Sequence, residues 1–228
     1  MASIILVRHS RSTANTAGVL AGQAPGISLD EVGQTQAQGL ITRIGDVAIS
    51  RTISSPLQRC IETISPWHQS HGKSAIEIDN NFIESNYGSW TGQNLSDLAK
   101  EPLWKEVQKQ PSKVTFPNGE SFQEMFSRVS EGLDKVIENL GDEDNVIIVS
   151  HGDIIKLAIA KVLDLPIDNF QKLVIDPASI SIVKVEKDGD LKRTALISMN
   201  ESGTPLTKLL ASKELAGLGG GKGDGGGV

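Results

Sequence analysis

Ile4-Ile5-Leu6-Val7-Arg8-His9-Ser10, near the start of the chain, and Val146-Ile147-Ile148-Val149-Ser150-His151-Gly152, far along it, have one shape: four aliphatic residues in a row, then a histidine at the second position beyond them. A short apolar run without alternation is the mark of a strand buried on both faces, as in a parallel sheet covered by helices. Shorter strand-like pieces lie at Thr52 to Ser54 and Ile76 to Ile78, and amphipathic segments separate them. Ser28-Leu29-Asp30-Glu31 has the spacing of a capping box and precedes apolar residues at Val32, Leu40, Ile41 and Ile44. Ser55-Pro56 offers a cap and a first-turn proline for a helix running to about Gln69. Ser121-Phe122-Gln123-Glu124 opens the clearest helix, with Phe122, Met125, Phe126, Val129, Leu133, Val136, Ile137 and Leu140 on one face. An apolar helix, Ile154 to Leu163, follows the second long strand. Ser179 to Val185 and Leu191 to Ser198 flank the turn Lys187-Asp188-Gly189-Asp190 as a hairpin. The pattern predicts an α/β three-layer sandwich, its central sheet mostly parallel with an antiparallel edge strand.

The 228 residues (24.3 kDa) suit one domain, 1–200, and a tail, 201–228. The tail is expected to hold a short helix over Leu206 to Leu215 and to be disordered from about 217, where it becomes mostly glycine. A net charge of -6 and a pI near 5.3 argue against a nucleic acid or an anionic bilayer as partner. No apolar run approaches the length of a membrane span, and Ile4 to Val7 is too short for a secretory signal, so a cytoplasmic location is expected. Cys60 has no disulfide partner, and the four histidines lack the spacing of a zinc pair; no metal is expected.

His9 and His151 both stand just past the C-terminal end of a buried strand, where open α/β sheets form their ligand crevice. Arg8 accompanies the first, and Gly152-Asp153 begins a helix after the second. Free amides at a helix start, a guanidinium and two imidazoles make a plausible phosphate pocket in an otherwise acidic chain. Taken singly, Arg8-His9 reads as a surface pair, and His151 and Asp153 as capping residues.

Two further stretches change that weighing: Ser54-Ser55-Pro56-Leu57-Gln58-Arg59-Cys60-Ile61-Glu62-Thr63 and Ile83-Glu84-Ser85-Asn86-Tyr87-Gly88-Ser89-Trp90-Thr91-Gly92. With them the sequence resembles the histidine phosphatase superfamily, of phosphoglycerate mutase-like fold, and within it an actinobacterial branch named as phosphomutases. Arg8-His9 and Asn15 match its first block. Ser55, Leu57, Arg59 and Thr63 match its second, with Cys60 in an alanine slot. Glu84, Gly88, Trp90 and Gly92 match its third, and His151-Gly152 its fourth. The blocks occur in order from residue 4 to about 160.

The resemblance implies that His9 attacks a phosphomonoester through a neutral nitrogen, its other N–H held by a backbone carbonyl, to form a phosphohistidine. Arg8 and Arg59 would clamp phosphoryl oxygens, with the Asn15 amide, the Gly152 amide and a protonated His151 completing the cradle. Glu84 would protonate the leaving alkoxide and then activate water, which requires a raised pKa. Neither metal nor cofactor is implied, and the expected partner is a small phosphorylated metabolite; a homodimer is the assembly allowed for. The segment from about 94 to 122 would cover the site, with Trp90 packed beneath the acid's loop and one of Lys100, Lys105, Lys109 and Lys113 available to a second substrate anion. His68 and His71 read as exposed residues without a role. Ser10 departs from the family's glycine, and is expected either to strain the backbone or to offer its hydroxyl to the phosphoryl group.

Two other functions are weighed against hydrolysis. A cofactor-dependent mutase would show a tryptophan before the asparagine and arginines in the insertion. Ala14 precedes Asn15, no arginine precedes Arg128 in that region, and Phe116-Pro117-Asn118-Gly119-Glu120-Ser121 resembles the phosphatase branch. A non-catalytic phosphate-binding module would have lost the nucleophile or the acid, and both are present. No G-x-G-x-x-G follows the first strand, against a dinucleotide-binding domain.

Overall fold

The computed structural model describes residues 1–72, 74–188 and 191–211. In chain order its elements are β1 (Ala2–Arg8), α1 (Thr13–Ala17), α2 (Glu31–Ile44), β2 (Arg51–Ser54), α3 (Gln58–His71), β3 (Glu77–Ile78), α4 (Leu95–Leu98), α5 (Pro102–Lys109), α6 (Phe122–Glu138), β4 (Asn145–Ser150), α7 (Gly152–Val162), β5 (Ile180–Asp188), β6 (Leu191–Glu201) and α8 (Leu206–Leu210). The strands form one six-stranded sheet, ordered β3-β2-β4-β1-β5-β6. β1, β2, β3 and β4 are parallel, while β5 is antiparallel to both β1 and β6. The one opposed strand therefore lies one place in from the edge, and the edge strand β6 runs with the rest.

The unbroken apolar runs divide between two cores because side chains alternate across a strand. Ile4 and Leu6 of β1, and Val146 and Ile148 of β4, pack with Met125, Val129, Leu133 and Val136 of α6 and Ile154, Leu157 and Ala158 of α7. Ile5, Val7, Ile147 and Val149 pack on the opposite face with Leu40 and Ile44 of α2, Cys60, Ile64 and Trp67 of α3, and Leu206 of α8. The chain leaves β1 toward the α2–α3 face and leaves β4 toward the α6–α7 face. Diverging connections from neighbouring strands open a crevice between their C-terminal ends.

Several local expectations are altered. The α2 cap is Asp30, whose carboxylate accepts the Gly33 N–H, and not Ser28. Val32 is 43 % exposed, off the apolar face. Ser55-Pro56 lies outside α3, which starts at Gln58; the Ser55 hydroxyl accepts the Leu57 N–H at 3.3 Å, one residue before the helix, and pairs with His151. The short helix α1, closed by a capping box between Ser12 and Asn15 and by left-handed Gly18, was not legible as an apolar stripe. The box at Ser121 and Glu124 forms as its spacing predicts. Gly189 and Asp190 of the hairpin turn, and the chain from 212 onward, lie outside the described residues, so α8 accounts for only the first part of the expected terminal helix. No helix among the described residues is long and apolar enough to cross a membrane.

Ser121→Ala removes the hydroxyl that accepts the Glu124 N–H and is expected to cost about 1 kcal/mol in urea unfolding. Ser28→Ala, which leaves the Asp30 cap in place, should change stability by less than about 0.5 kcal/mol. Equal losses would contradict the observed caps.

Candidate active site

Three strand ends are knitted together at the crevice by their own backbones. The His9 N–H donates to the Ser150 carbonyl at 2.8 Å, the Ser55 N–H to Val149 at 2.9 Å, and the Arg8 N–H to Ser179 at 3.1 Å. Thr63 of α3 adds a cross-brace: its hydroxyl accepts the Ser10 N–H at 2.8 Å and donates to the Arg59 carbonyl at 2.7 Å. The loops bearing His9 and Arg59 are thus fixed to one another.

Both guanidinium groups sit deep in this frame. Arg8 donates to the Ile175 carbonyl at 2.6 Å. Arg59, fully buried, donates to the Gly22 carbonyl at 2.9 Å and to His151 Nδ1 at 3.1 Å. In each the buried Nε–H has no partner among the described residues. Gly152, at the start of α7, backs against Arg8 so closely that a Cβ there would lie 3.4 Å from the guanidinium carbon. Unpaired buried N–H groups on two cations beside a helix N-terminus suit an oxyanion.

The histidines are tuned by the same cations. His9 Nδ1 lies 2.7 Å from the Ser10 carbonyl, so Nδ1 carries the proton and donates, and Nε2 keeps its lone pair. Burial first, then Arg59 and Arg8, hold its pKa well below the usual histidine value. The His151 ring lies 5.2 Å from that of His9 and is likewise pushed well below its usual value by burial, Arg59, His9 and Arg8. Its Nδ1 accepts from Arg59, and its Nε2–H donates to the Ser55 hydroxyl at 2.7 Å. Burial and the neighbouring cations thus disfavour charge on the His151 ring, which was expected to be an imidazolium beside a phosphoryl dianion.

Glu84 follows the turn Asn80–Phe82 and faces these groups. Its Oε1 accepts the Ser85 N–H at 3.0 Å, and Oε2 lies 3.8 Å from His151 Nδ1. Burial, reinforced by the charge of Asp153, raises its pKa to about 7. Arg8, His9, Asn15, Arg59, Glu84 and Gly152 all line one cavity of about 210 Å³. His151 stands behind Arg59 rather than in that lining. Asn15 uses its Oδ1 to accept the Ser12 N–H and hydroxyl, so its NH2 group is the donor left for the cavity.

Asp153 was expected near the pocket and Leu95 belongs to the expected covering segment; the rest of the lining was not foreseen. Val19, Leu20, Leu95 and Ile175 are apolar; Tyr87, Asp153 and Lys156 are not. The Tyr87 hydroxyl donates to Asp153 at 3.1 Å, and Lys156 donates to Asp153 at 3.2 Å and to Gln171 at 3.1 Å. Helical phase could have found Lys156, which lies one turn beyond Gly152 on α7. Of the expected covering segment only Leu95 reaches the cavity, and Lys100, Lys105, Lys109 and Lys113 do not; Lys156 is the lining cation besides the two arginines. The segment's own anchor is aromatic: Trp90 stacks on Trp104 and meets Phe116 edge-on. Ser10 has no positive φ and lies outside the lining, its buried hydroxyl without a partner among the described residues, so it neither strains the backbone nor faces the cavity. His71 stacks on Trp67 and lies 3.3 Å from Asp46, away from the crevice.

A sequence model of the histidine phosphatase superfamily (branch 1) matches residues 4–197. The chain belongs to that superfamily. The "Bifunctional protein Rv2228c" of Mycobacterium tuberculosis (strain ATCC 25618 / H37Rv) is 31 % identical over 192 residues, covering 82 % of this chain and 51 % of its own. The chain thus spans about half the length of the mycobacterial relatives it matches. A protein of Erwinia tasmaniensis named "Probable phosphoglycerate mutase GpmB" is 30 % identical over 185 residues, 80 % of this chain and 85 % of that one. In three dimensions the α-ribazole phosphatase of Shigella flexneri superposes with a TM-score of 0.78 at 25 % identity, covering 89 % and 98 % of the two chains. The family's mixed sheet with helices on both faces is the architecture described above.

The raised Glu84 pKa carries a stability signature. Between an ordinary carboxylate value of 4.5 and about 7, the unfolded chain gives up a proton that the folded protein keeps. The carboxyl's contribution to stability therefore falls as pH rises through that window, by roughly 3 kcal/mol. His9 and His151, whose folded pKa values are lowered, act oppositely and lose stability as pH falls below 6.5. Glu84→Gln removes only the first effect. Its stability relative to wild type should grow between about pH 5 and pH 8, and a flat difference in urea midpoints would rule out a buried, raised carboxyl.

Proposed function

We propose that the protein is a metal-independent phosphomonoesterase that acts on a small phosphorylated metabolite through a phosphohistidine on His9. The observation carrying this reading is the tautomer of His9: the Ser10 carbonyl holds Nδ1–H, leaving the Nε2 lone pair beside two buried guanidinium groups that each retain an unpaired Nε–H. A phosphoryl dianion between Arg8 and Arg59 pairs with guanidinium donors and offsets their charge, while the His151 ring keeps its Nδ1 as the acceptor of the Arg59 N–H. His9 Nε2 attacks phosphorus, the P–O bond to the leaving group breaks, and the departing oxygen takes the proton of Glu84. Glu84, now a carboxylate, takes a proton from water, whose oxygen attacks the phosphohistidine. The P–N bond breaks, and its electron pair returns to His9 Nε2. A carboxyl poised at about 7 serves both half-reactions. Asn15 and the Gly152 amide supply further donors.

The cavity's 210 Å³ is below the ~300–1,000 Å³ of sites for drug-sized ligands and suits a leaving group of a few carbons. Leu95, of the segment from 94 to 122, forms part of its wall. A relative named as a phosphatase by structure and one named as a mutase by sequence leave both chemistries in the family. Hydrolysis is favoured here because Asp153 lines the cavity and neutralises Lys156, which disfavours a bisphosphate's second phosphoryl group. A cytoplasmic location and the absence of nucleic acid or a membrane as partner accord with the acidic surface.

The test is hydrolysis of p-nitrophenyl phosphate and of a panel of alkyl phosphates, including 3-phosphoglycerate with and without 2,3-bisphosphoglycerate. His9→Ala is expected to lower kcat at least about a thousandfold, and radiolabelled phosphate should be trapped on wild type in an alkaline quench. Isomer formation that depends on the bisphosphate would establish the mutase instead. Phosphate binding without turnover in both proteins would establish a binding module.

A further inference from the structure

Three side chains hold the loop that carries Glu84 from outside the cavity: Gln23 donates to the Glu84 carbonyl at 2.8 Å, the Ser150 hydroxyl donates to that of Phe82 at 2.7 Å, and Arg128 makes the most bonds. Arg128, on α6, has an acceptor for each of its five N–H groups. Nη1 donates to the carbonyls of Asn81 at 2.9 Å and Ile83 at 2.8 Å, and Nη2 reaches the carbonyl of Glu84 itself at 3.4 Å. The remaining two donors form a bidentate pair with Glu120, Nη2 to Oε1 at 2.8 Å and Nε to Oε2 at 3.0 Å. Glu120 in turn accepts the Asn86 N–H at 2.9 Å and returns its own N–H to the Asn86 carbonyl at 2.9 Å. Beside this clamp the two loops touch backbone to backbone: a Cβ on Gly88 would lie 2.1 Å from the Pro117 carbonyl, and one on Gly119 2.2 Å from that of Asn86.

Three consecutive-turn carbonyls aimed at one planar fork fix the path of residues 81 to 84 more tightly than a loop's own turns would. Neither Arg128 nor Glu120 lines the cavity. We infer that the Arg128–Glu120 pair is a positioning device for the proton donor, setting where the Glu84 carboxyl meets the leaving oxygen without touching substrate. This rests on the reading of Glu84 as the acid.

The chemistry supplies a readout that a general structural role would not move. An alkoxide is a poor leaving group and needs its proton in the transition state, whereas p-nitrophenolate departs without one. The quantity to measure is kcat/KM, which stops at release of the leaving group, for p-nitrophenyl phosphate and for the alkyl phosphate that wild type turns over fastest. Glu84→Gln sets the scale: its ratio of alkyl to aryl kcat/KM should fall by about a hundredfold. Arg128→Met should lower the same ratio by at least about tenfold, with Arg128→Lys between it and wild type. Glu120→Gln keeps the packing and should move the ratio the same way, which covers the case that Arg128→Met does not fold. The double variant Glu84→Gln/Glu120→Gln should show no further change in ratio beyond Glu84→Gln. Equal losses on both substrates, or no loss on either, in the clamp variants would overturn the inference while leaving Glu84 as the acid. If Glu84→Gln itself leaves the ratio unmoved, the acid assignment fails and the clamp's role falls with it. If His9→Ala retains activity, the phosphohistidine reading fails.

Discussion

Two guanidinium groups lining one cavity, Arg59 fully buried and Arg8 half-buried, govern the chemistry of everything around them in a chain that is acidic overall. Carrying Arg8 and Arg59 out of water is costly, and the protein offsets only part of that cost with the carbonyls of Ile175 and Gly22. What remains uncompensated is directed inward. After burial, the larger cause, it helps to hold both imidazoles below their usual range, and each guanidinium keeps a buried Nε–H without a partner among the described residues. Glu84 feels the same two cations, yet burial and Asp153 outweigh them, so it is held near neutrality rather than low. A neutral imidazole at His9 and a protonated carboxyl at Glu84 can coexist near neutral pH because the dominant perturbation, desolvation, works against charge on both.

Such a site tolerates little movement, and the fold supplies stiffness by linking loops rather than by lengthening elements. Ser10 hangs on Thr63, His151 on Ser55 and Arg59, and the Ser150 hydroxyl donates to the Phe82 carbonyl, tying β4 to the turn before the acid. On the cavity's outer wall, residues 18–20 are hydrogen-bonded to residues 92–95, with Leu20 donating to the Gln93 carbonyl and Leu95 to that of Gly18. Each loop is thus braced by one that is distant in the chain. The functional groups inherit the rigidity of the sheet although most of them lie beyond its ends.

The strands were readable because a run such as Val146 to Val149 has no arrangement other than burial on both faces, and the Ser121 box was readable because its bonds are local. Local signals failed where a distant group outbid them. Ser55 looked like a cap, but its hydroxyl pairs with His151; Ser28 looked like one, but Asp30 lies closer to the amides and is also tied to Arg11. Of the residues carrying the motif resemblance, His9, Arg8, Arg59, Glu84, Asn15 and Gly152 reach one cavity, while His151 stands behind Arg59. Lys156 and Tyr87 complete its wall, and Arg128 acts from behind it. Nothing in the spacing of Arg128 from Glu84 marks their meeting, since it depends on how α6 crosses the loop of residues 81–84 in space.

The two departures from the family pattern are intelligible from the same geometry. Cys60, in the alanine slot, lies 3.5 Å from His151 Nε2 and would be a rival base or nucleophile if it ionised. Burial pushes its thiol up to about 12, against the pull of Arg59, so at neutral pH it is a small apolar side chain that fills space between α3 and β4. Ser10 keeps an ordinary negative φ and gives the chain what a glycine would also give, a backbone N–H for Thr63 and a carbonyl for the His9 ring. Its hydroxyl points into protein rather than cavity. Both side chains pack behind the cavity and leave the donors that line it unaltered.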